Sequence, residues 1–179
     1  MDYADARPRI ATGDLIAFRN RGIFSWAVRY RTGSDYSHVG VALRLRLPEE
    51  SDEGVYMVDS HARTGFRIRR LSTLKRFDWI PVVGAGVLQW TWAAADYAGG
   101  RIGVYAYGWG DILRAALGIP MRDDARHTCN EFVAAIYQRC KLPDGRPAIA
   151  LVGKPMSPGV LVDQMRFLGA DKTIEVRVK

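Results

Sequence analysis

Partway along the chain the spacing of apolar residues changes from every second residue to a helical period, and this limits the fold more than any other feature. Residues 37–45 alternate: Val39, Val41, Leu43 and Leu45 share one face, His38, Gly40, Ala42 and Arg44 the other. Further strands are predicted over 14–18, 55–60, 65–69 and 77–83, with an acidic loop at 48–54 as a hairpin connection and Val55, Met57 and Asp59 on one side of their strand. One helix is predicted among them, over 24–30. Later, helices are predicted over 87–97, closed by Gly99-Gly100, and over 111–117, 128–140 and 157–167, the last with Pro158 at its first position. Residues 174–178 alternate again and close the sheet. Strands grouped first and helices later imply an α+β domain, an antiparallel sheet packed against helices.

The helix at 128–140 is the best defined. Thr128 suits its N-cap, Glu131 follows as in a capping box, and Phe132, Val133, Ile136 and Tyr137 form its apolar stripe. With 179 residues, 48% of them hydrophobic, one domain spanning 1–179 can bury a real core. No apolar run reaches the roughly 18 residues that a membrane span needs. The opening residues lack the basic-then-apolar layout of a secretory signal. The expectation is a chain without an export address, cytoplasmic by default or else delivered by phage or lysis.

Net charge is +7, and Arg supplies 21 of the 26 basic residues. Such a balance suits an anionic polymer or surface. The one concentration of charge, Arg63, Arg67, Arg69, Arg70, Lys75 and Arg76, is interleaved with Phe66, Ile68 and Leu71, as on a strand with one solvated face. No nucleic-acid partner is expected. The two cysteines, Cys129 and Cys140, are too few for a disulfide scaffold. On one helix they would stand about 16 Å apart, beyond the roughly 7 Å that a disulfide tolerates.

Cys129 falls in the first turn of its helix, where exposed N–H groups stabilise an anionic sulfur. A thiolate there is a competent nucleophile, especially beside an imidazole; the plainer alternative is a buried structural cysteine, which suits Cys140 well. His38 sits on a strand between small same-face neighbours, Gly40 and Ala42, which leave room for a helix terminus; the alternative is a satisfied core histidine. A Cys–His pair needs a group to orient the ring. Asp59, at the end of the next strand, and His61, of the same parity, compete for that role. His127 flanks Cys129 in sequence. No metal or other cofactor is expected, because His38, His61 and His127 lack the ligand spacing of a metal site.

Thr12-Gly13-Asp14-Leu15-Ile16, followed by Ser37-His38-Val39-Gly40-Val41, resembles the opening of the permuted papain-like amidases (YiiX/YaeF-like, within the NlpC superfamily). Val58-Asp59-Ser60 resembles that family's acidic strand end, where Glu is commoner. His127-Thr128-Cys129-Asn130-Glu131 resembles its nucleophile helix, where Cys-Ser-Glu is common, and Ser157-Pro158-Gly159 a segment that follows it. The order, His before Cys, is the reverse of ordinary papain and marks a circular permutation. The resemblance runs from about Thr12 to Met165. It implies a circularly permuted papain-like (NlpC-type) fold and a cysteine hydrolase with Cys129 as nucleophile, His38 as general base and acid, and Asp59 orienting the ring. Relatives like lecithin:retinol acyltransferase use a second His, which keeps His61 in view.

The backbone N–H of Cys129 would serve as oxyanion donor, with Tyr105 or Tyr107 as a second. The substrate expected is a small amide or isopeptide, such as a peptidoglycan stem peptide. The rival is acyl-lipid chemistry, with Trp90, Trp92 and Tyr97 lining an acyl groove. A third reading is a non-catalytic binding module on the same scaffold.

Overall fold

The computed structural model describes residues 1–20, 25–26, 29–30, 33–46, 53–61, 64–102, 128–148, 152 and 157–178. The chain is α+β. Six strands form one antiparallel sheet: β1 (Leu15–Phe18), β2 (His38–Leu45), β3 (Gly54–His61), β4 (Gly65–Arg70), β5 (Arg76–Ile80) and β6 (Ile174–Arg177), in the spatial order β4-β3-β2-β1-β5-β6. The described helices are α1 (Tyr3–Ala6), α2 (Trp92–Arg101), α3 (Cys129–Tyr137) and α4 (Pro158–Phe167), with a 3₁₀ turn at Leu71–Thr73.

The alternation at 37–45 does what its period demands. Val39, Val41 and Leu43 join Phe132, Val133, Ile136 and Tyr137 in one core layer, while Ala42 joins Ile16, Val55, Met57, Phe77 and Trp79 in a second layer on the other face. Helix α3 packs across β2 and β3, with α2 and α4 beside it. Phe132 stands at its centre, its ring 4.7 Å from that of Phe66 and 6.1 Å from that of Tyr97. Because the helix is covered by the sheet on one side and by helices on others, it is buried well beyond the predicted stripe, Cys129 and Asn130 included.

The Gly13-Asp14 pair fastens the sheet to what surrounds it. Asp14 is fully buried and accepts from Trp79 Nε1 (2.8 Å) and from the N–H groups of Ala11 (2.9 Å), Val83 (3.0 Å) and Gly84 (2.8 Å). Burial raises its carboxyl pKa against these four lowering bonds. The same bonds end β5 at Ile80, short of the expected Val83, since Val83 and Gly84 turn inward to reach Asp14. Gly13 has φ +96°, and a Cβ there would lie 2.5 Å from Val83 Cγ2 and 2.7 Å from Trp90 Cε3. Its carbonyl accepts from Tyr137 Oη at 3.0 Å, which ties the far end of α3 to the start of β1.

Helix α2 corrects the expected helix over 87–97. It starts only at Trp92, because Gln89 exchanges backbone bonds with Lys141 (2.7 and 3.1 Å) and the Thr91 hydroxyl caps the Ala94 N–H at 3.2 Å. Gly99 and Gly100 lie inside its last turn rather than beyond it. At α4 the Ser157 hydroxyl accepts from Val160 N, and Pro158 is the first helical residue, as expected. A Cβ on Gly159 would overlap the Ser34 side chain, so this helix start rests on the segment that leads into His38. Ser25, Trp26, Arg29 and Tyr30 are helical; the rest of 24–30 and the whole of 111–117 lie outside the described residues. Among the described residues no helix is long and apolar enough to cross a membrane.

Truncating Phe132 to Ala should lower the free energy of unfolding by about 3–5 kcal/mol, the cost of a large cavity in a fully packed layer. Gly13→Ala should lose about 1–3 kcal/mol from its left-handed backbone alone. Urea unfolding monitored by tryptophan fluorescence measures both; Gly99→Ala, with open space at its Cβ, should lose nothing.

Candidate active site

His38 is the first residue of β2, and Cys129 is the first residue of α3. These two chain ends meet. The α3 terminus is built by its cap: Glu131 Oε2 accepts from the Thr128 N–H at 2.8 Å and from the Thr128 hydroxyl at 2.7 Å. The first helical bond runs from Phe132 N to Thr128 O at 3.0 Å, so the Cys129 N–H precedes the intrahelical ladder. The Cys129 side chain is nearly buried and within Coulombic and hydrogen-bonding range of the His38 ring.

The opposite side of the ring is held by Asp59. His38 Nε2 lies 2.6 Å from Asp59 Oδ2, so Nδ1 is the ring nitrogen left for a second partner. The β2/β3 register pairs Val41 with Val58; continued, it sets Asp59 beside Gly40 and His61 beside His38. Strand parity puts His38 and Asp59 on the same side of the sheet, so the short Asp side chain reaches the ring. Phe18 stands opposite His38 on β1 with rings 5.7 Å apart, and His61 meets it edge-on at 6.3 Å. Of the two candidates for orienting the ring, Asp59 makes the hydrogen bond and His61 makes the ring contact.

Asp59 has 0% exposure, and two arginines share it with His38. Arg67, directly across from Asp59 on β4, donates from Nε to Oδ1 at 2.8 Å and from Nη2 to Oδ2 at 3.2 Å. Arg69 donates from Nη2 to Oδ2 at 2.9 Å. The expectation that these arginines lie on an ordinary solvated face is therefore corrected for Arg67 and Arg69, whose heads turn back onto a buried carboxylate.

The electrostatics follow from this packing. For His38, burial disfavours the charged ring, but the Cys129 charge, the hydrogen bonds to Asp59 and Cys129, and the Asp59 charge outweigh it and raise the pKa to about 9. For Asp59, burial acts upward, yet the hydrogen bond and charge of His38, with Arg67 and Arg69, hold the carboxyl well below the usual range. His61 is lowered, by burial and then by the charges of Arg67, His38 and Arg69 against that of Asp59. Cys140, at the other end of the helix, is a free thiol pushed up to about 12 by burial.

One other expectation changes. Small neighbours do not make room for the helix at Gly40: a Cβ there would lie 2.6 Å from Met57 Cγ and 2.8 Å from the Val58 carbonyl oxygen, so Gly40 makes room for β3. The three aromatics Trp90, Trp92 and Tyr97 have different surroundings. Trp92 is 89% exposed, Trp90 packs against Gly13, and the Tyr97 ring faces the guanidinium groups of Arg101 and Arg139, at 5.2 and 3.9 Å. His127, Tyr105 and Tyr107 lie outside the described residues. Among the described residues no three His, Cys, Asp or Glu side chains converge as a metal-ligand set. No family model matches the chain, and no curated protein matches it.

The pKa of His38 is raised on folding, so its contribution to stability is complete below about 6.5 and is lost as pH rises through about 9. That of Asp59 is depressed, so its contribution is present above 3.8 and is lost as pH falls toward the folded value. The urea midpoint of the wild type should therefore decline between pH 6.5 and 9. The decline should be shallower in His38→Ala; parallel profiles would contradict the coupling.

Proposed function

We propose that the chain is a cysteine hydrolase of amide or isopeptide bonds, on a circularly permuted papain-like, NlpC-type fold. The observation that carries this reading is the bonding of one imidazole on two sides: Nε2 to a buried carboxylate, and the remaining nitrogen in reach of a sulfur at a helix terminus. A histidine kept only for packing needs no such charged partner at each end. The raised His38 pKa supports an imidazolium at neutral pH, a partner suited to activating a neighbouring sulfur.

The Cys129 sulfur attacks the substrate carbonyl carbon, and the carbonyl π electrons move to oxygen. The Cys129 N–H, ahead of the helical ladder, stabilises that oxyanion. As the C–O double bond re-forms, the C–N bond breaks and the leaving amine takes the proton from His38 Nδ1, leaving a thioester on Cys129. Water then attacks the thioester carbonyl and gives a proton to Nδ1. The C–S bond breaks, releasing the acid and restoring thiolate and imidazolium. Throughout, Asp59 keeps Nε2–H hydrogen-bonded and the ring in plane.

A small peptide amide fits this chemistry, and the +7 net charge suits an anionic wall polymer. The acyl-lipid alternative draws less support, since Trp92 is exposed and the Tyr97 ring lies against the guanidinium groups of Arg101 and Arg139.

Iodoacetamide in buffer at about pH 6, followed by peptide mass spectrometry, tests the reading. Cys129 should react about 100-fold faster than a small free thiol, whose thiolate is scarce there, while Cys140 stays unmodified as an internal reference. His38→Ala should abolish the difference. Reaction of Cys129 at the rate of a free thiol would overturn the assignment. Incubation with peptidoglycan fragments should release new amino groups and acyl lipids should release no fatty acid; the reverse would favour the lipid reading.

A further inference from the structure

A buried carboxylate hydrogen-bonded to an imidazolium has an alternative state. The proton on Nε2 can cross to Oδ2, giving a carboxylic acid and a neutral imidazole, and desolvation favours that exchange because it removes two charges from a dry site. For the chemistry above the exchange is harmful. A neutral imidazole whose one proton sits on Nδ1 is a feeble acid, and it no longer balances the charge of the Cys129 sulfur. Something must hold the proton on the ring.

We propose that Arg67 and Arg69 are positioning residues that keep Asp59 a carboxylate, aim its Oδ2 at His38 Nε2, and so keep His38 an imidazolium with Nδ1 toward Cys129. This inference rests on Cys129 being the nucleophile. Both guanidiniums are permanently charged and neither can give up a proton to Asp59. Arg67 binds side-on, Nε to Oδ1 and Nη2 to Oδ2, which fixes the carboxylate plane; Arg69 adds a third donor to Oδ2 beside His38. The strands set this arrangement: Arg67 pairs with Asp59 and Arg69 with Met57, so both project to the side of the sheet that carries His38.

Arg69 Nε is buried without a hydrogen-bond partner among the described residues. An unpaired buried donor is costly, and here it accompanies the placement of Nη2 on Asp59. Among the described residues, the charged and titratable groups that face Asp59 are His38 on β2, His61 on β3 and Arg67 and Arg69 on β4, and His38 in turn interacts with Cys129 of α3.

The test follows the Asp59 carboxyl carbon by NMR in the full chain labelled with ¹³C-aspartate, from pH 7 to 3, together with iodoacetamide labelling of Cys129 at about pH 6. In the wild type Asp59 should stay ionised over this range. In Arg67→Gln/Arg69→Gln its midpoint should rise into this range, and Cys129 labelling should slow about 10- to 100-fold, as when an outer partner of a site is removed. Arg70→Gln removes the same charge from the same strand, but from a guanidinium that lies over the Tyr56 ring, and should change neither readout. Arg67→Lys, which keeps the charge without the fork, should keep Asp59 ionised and recover part of the labelling rate.

If the double variant does not unfold cooperatively, Arg69→Gln alone should shift both readouts in the same direction by less. An unshifted Asp59 midpoint with undiminished Cys129 labelling in these folded variants would overturn the proposal. A wild-type Cys129 no more reactive than a small free thiol would instead sink the nucleophile assignment, while the Asp59 titration still judged the clamp.

Discussion

A carboxylate with no exposed surface sits among three donors, and the arrangement of the candidate site depends on it. Taking such an ion out of water costs several kcal/mol even after relaxation, unless opposite charges and hydrogen bonds offset the loss. Asp59 has the Arg67 fork, the Arg69 guanidinium and the His38 ring. Each partner comes from a strand next to its own, so β4, β3 and β2 must pair in the observed register before the charge is satisfied. A slip of one residue would turn Asp59 to the layer that holds Phe132 and Tyr137, where these partners could not follow it. Sheet register and the state of the imidazole are thus one problem.

The second requirement is that α3 begin where β2 begins. Cys129 reaches His38 because Thr128 and Glu131 start the helix there, and because Tyr137 anchors its other end to the Gly13 carbonyl at 3.0 Å. Gly13 and Asp14 serve that anchor by holding the turn before β1 against Trp79, Val83 and Gly84. The segment Gly13-Asp14-Leu15 therefore acts through the frame, at a distance from the sulfur. The contrast between the two thiols follows. Cys129 heads the helix beside a charged ring, whereas Cys140 follows the helix in apolar surroundings that leave it protonated.

Much of this was legible in the sequence wherever a local rule governed it. Period-two alternation placed β2 and β3 within a residue, and the Thr128–Glu131 pair placed the start of α3, because each signal lies within the element it describes. Cys129, His38 and Asp59 could be singled out by residue type and by their resemblance to the pattern of a family. Arg67 and Arg69 escaped because an arginine on a strand reads the same whether its head meets water or a carboxylate eight or ten residues away. Residues 87–91 looked helical because apolar residues recur there as they do through Tyr97; what decides them is the pairing of Gln89 with Lys141, distant in sequence. Gly40 was given the wrong neighbour for the same reason, since the Met57 side chain that crosses it belongs to another strand.

The account turns on where one proton resides, and a ring nitrogen titration reads that directly. In uniformly ¹⁵N-labelled protein, His38 should show both nitrogens protonated through neutral pH and lose its proton near pH 9, while Cys129→Ala should move that midpoint downward. An ordinary midpoint near 6.5 that is indifferent to Cys129 would mean that sulfur and imidazole are neighbours without being a pair.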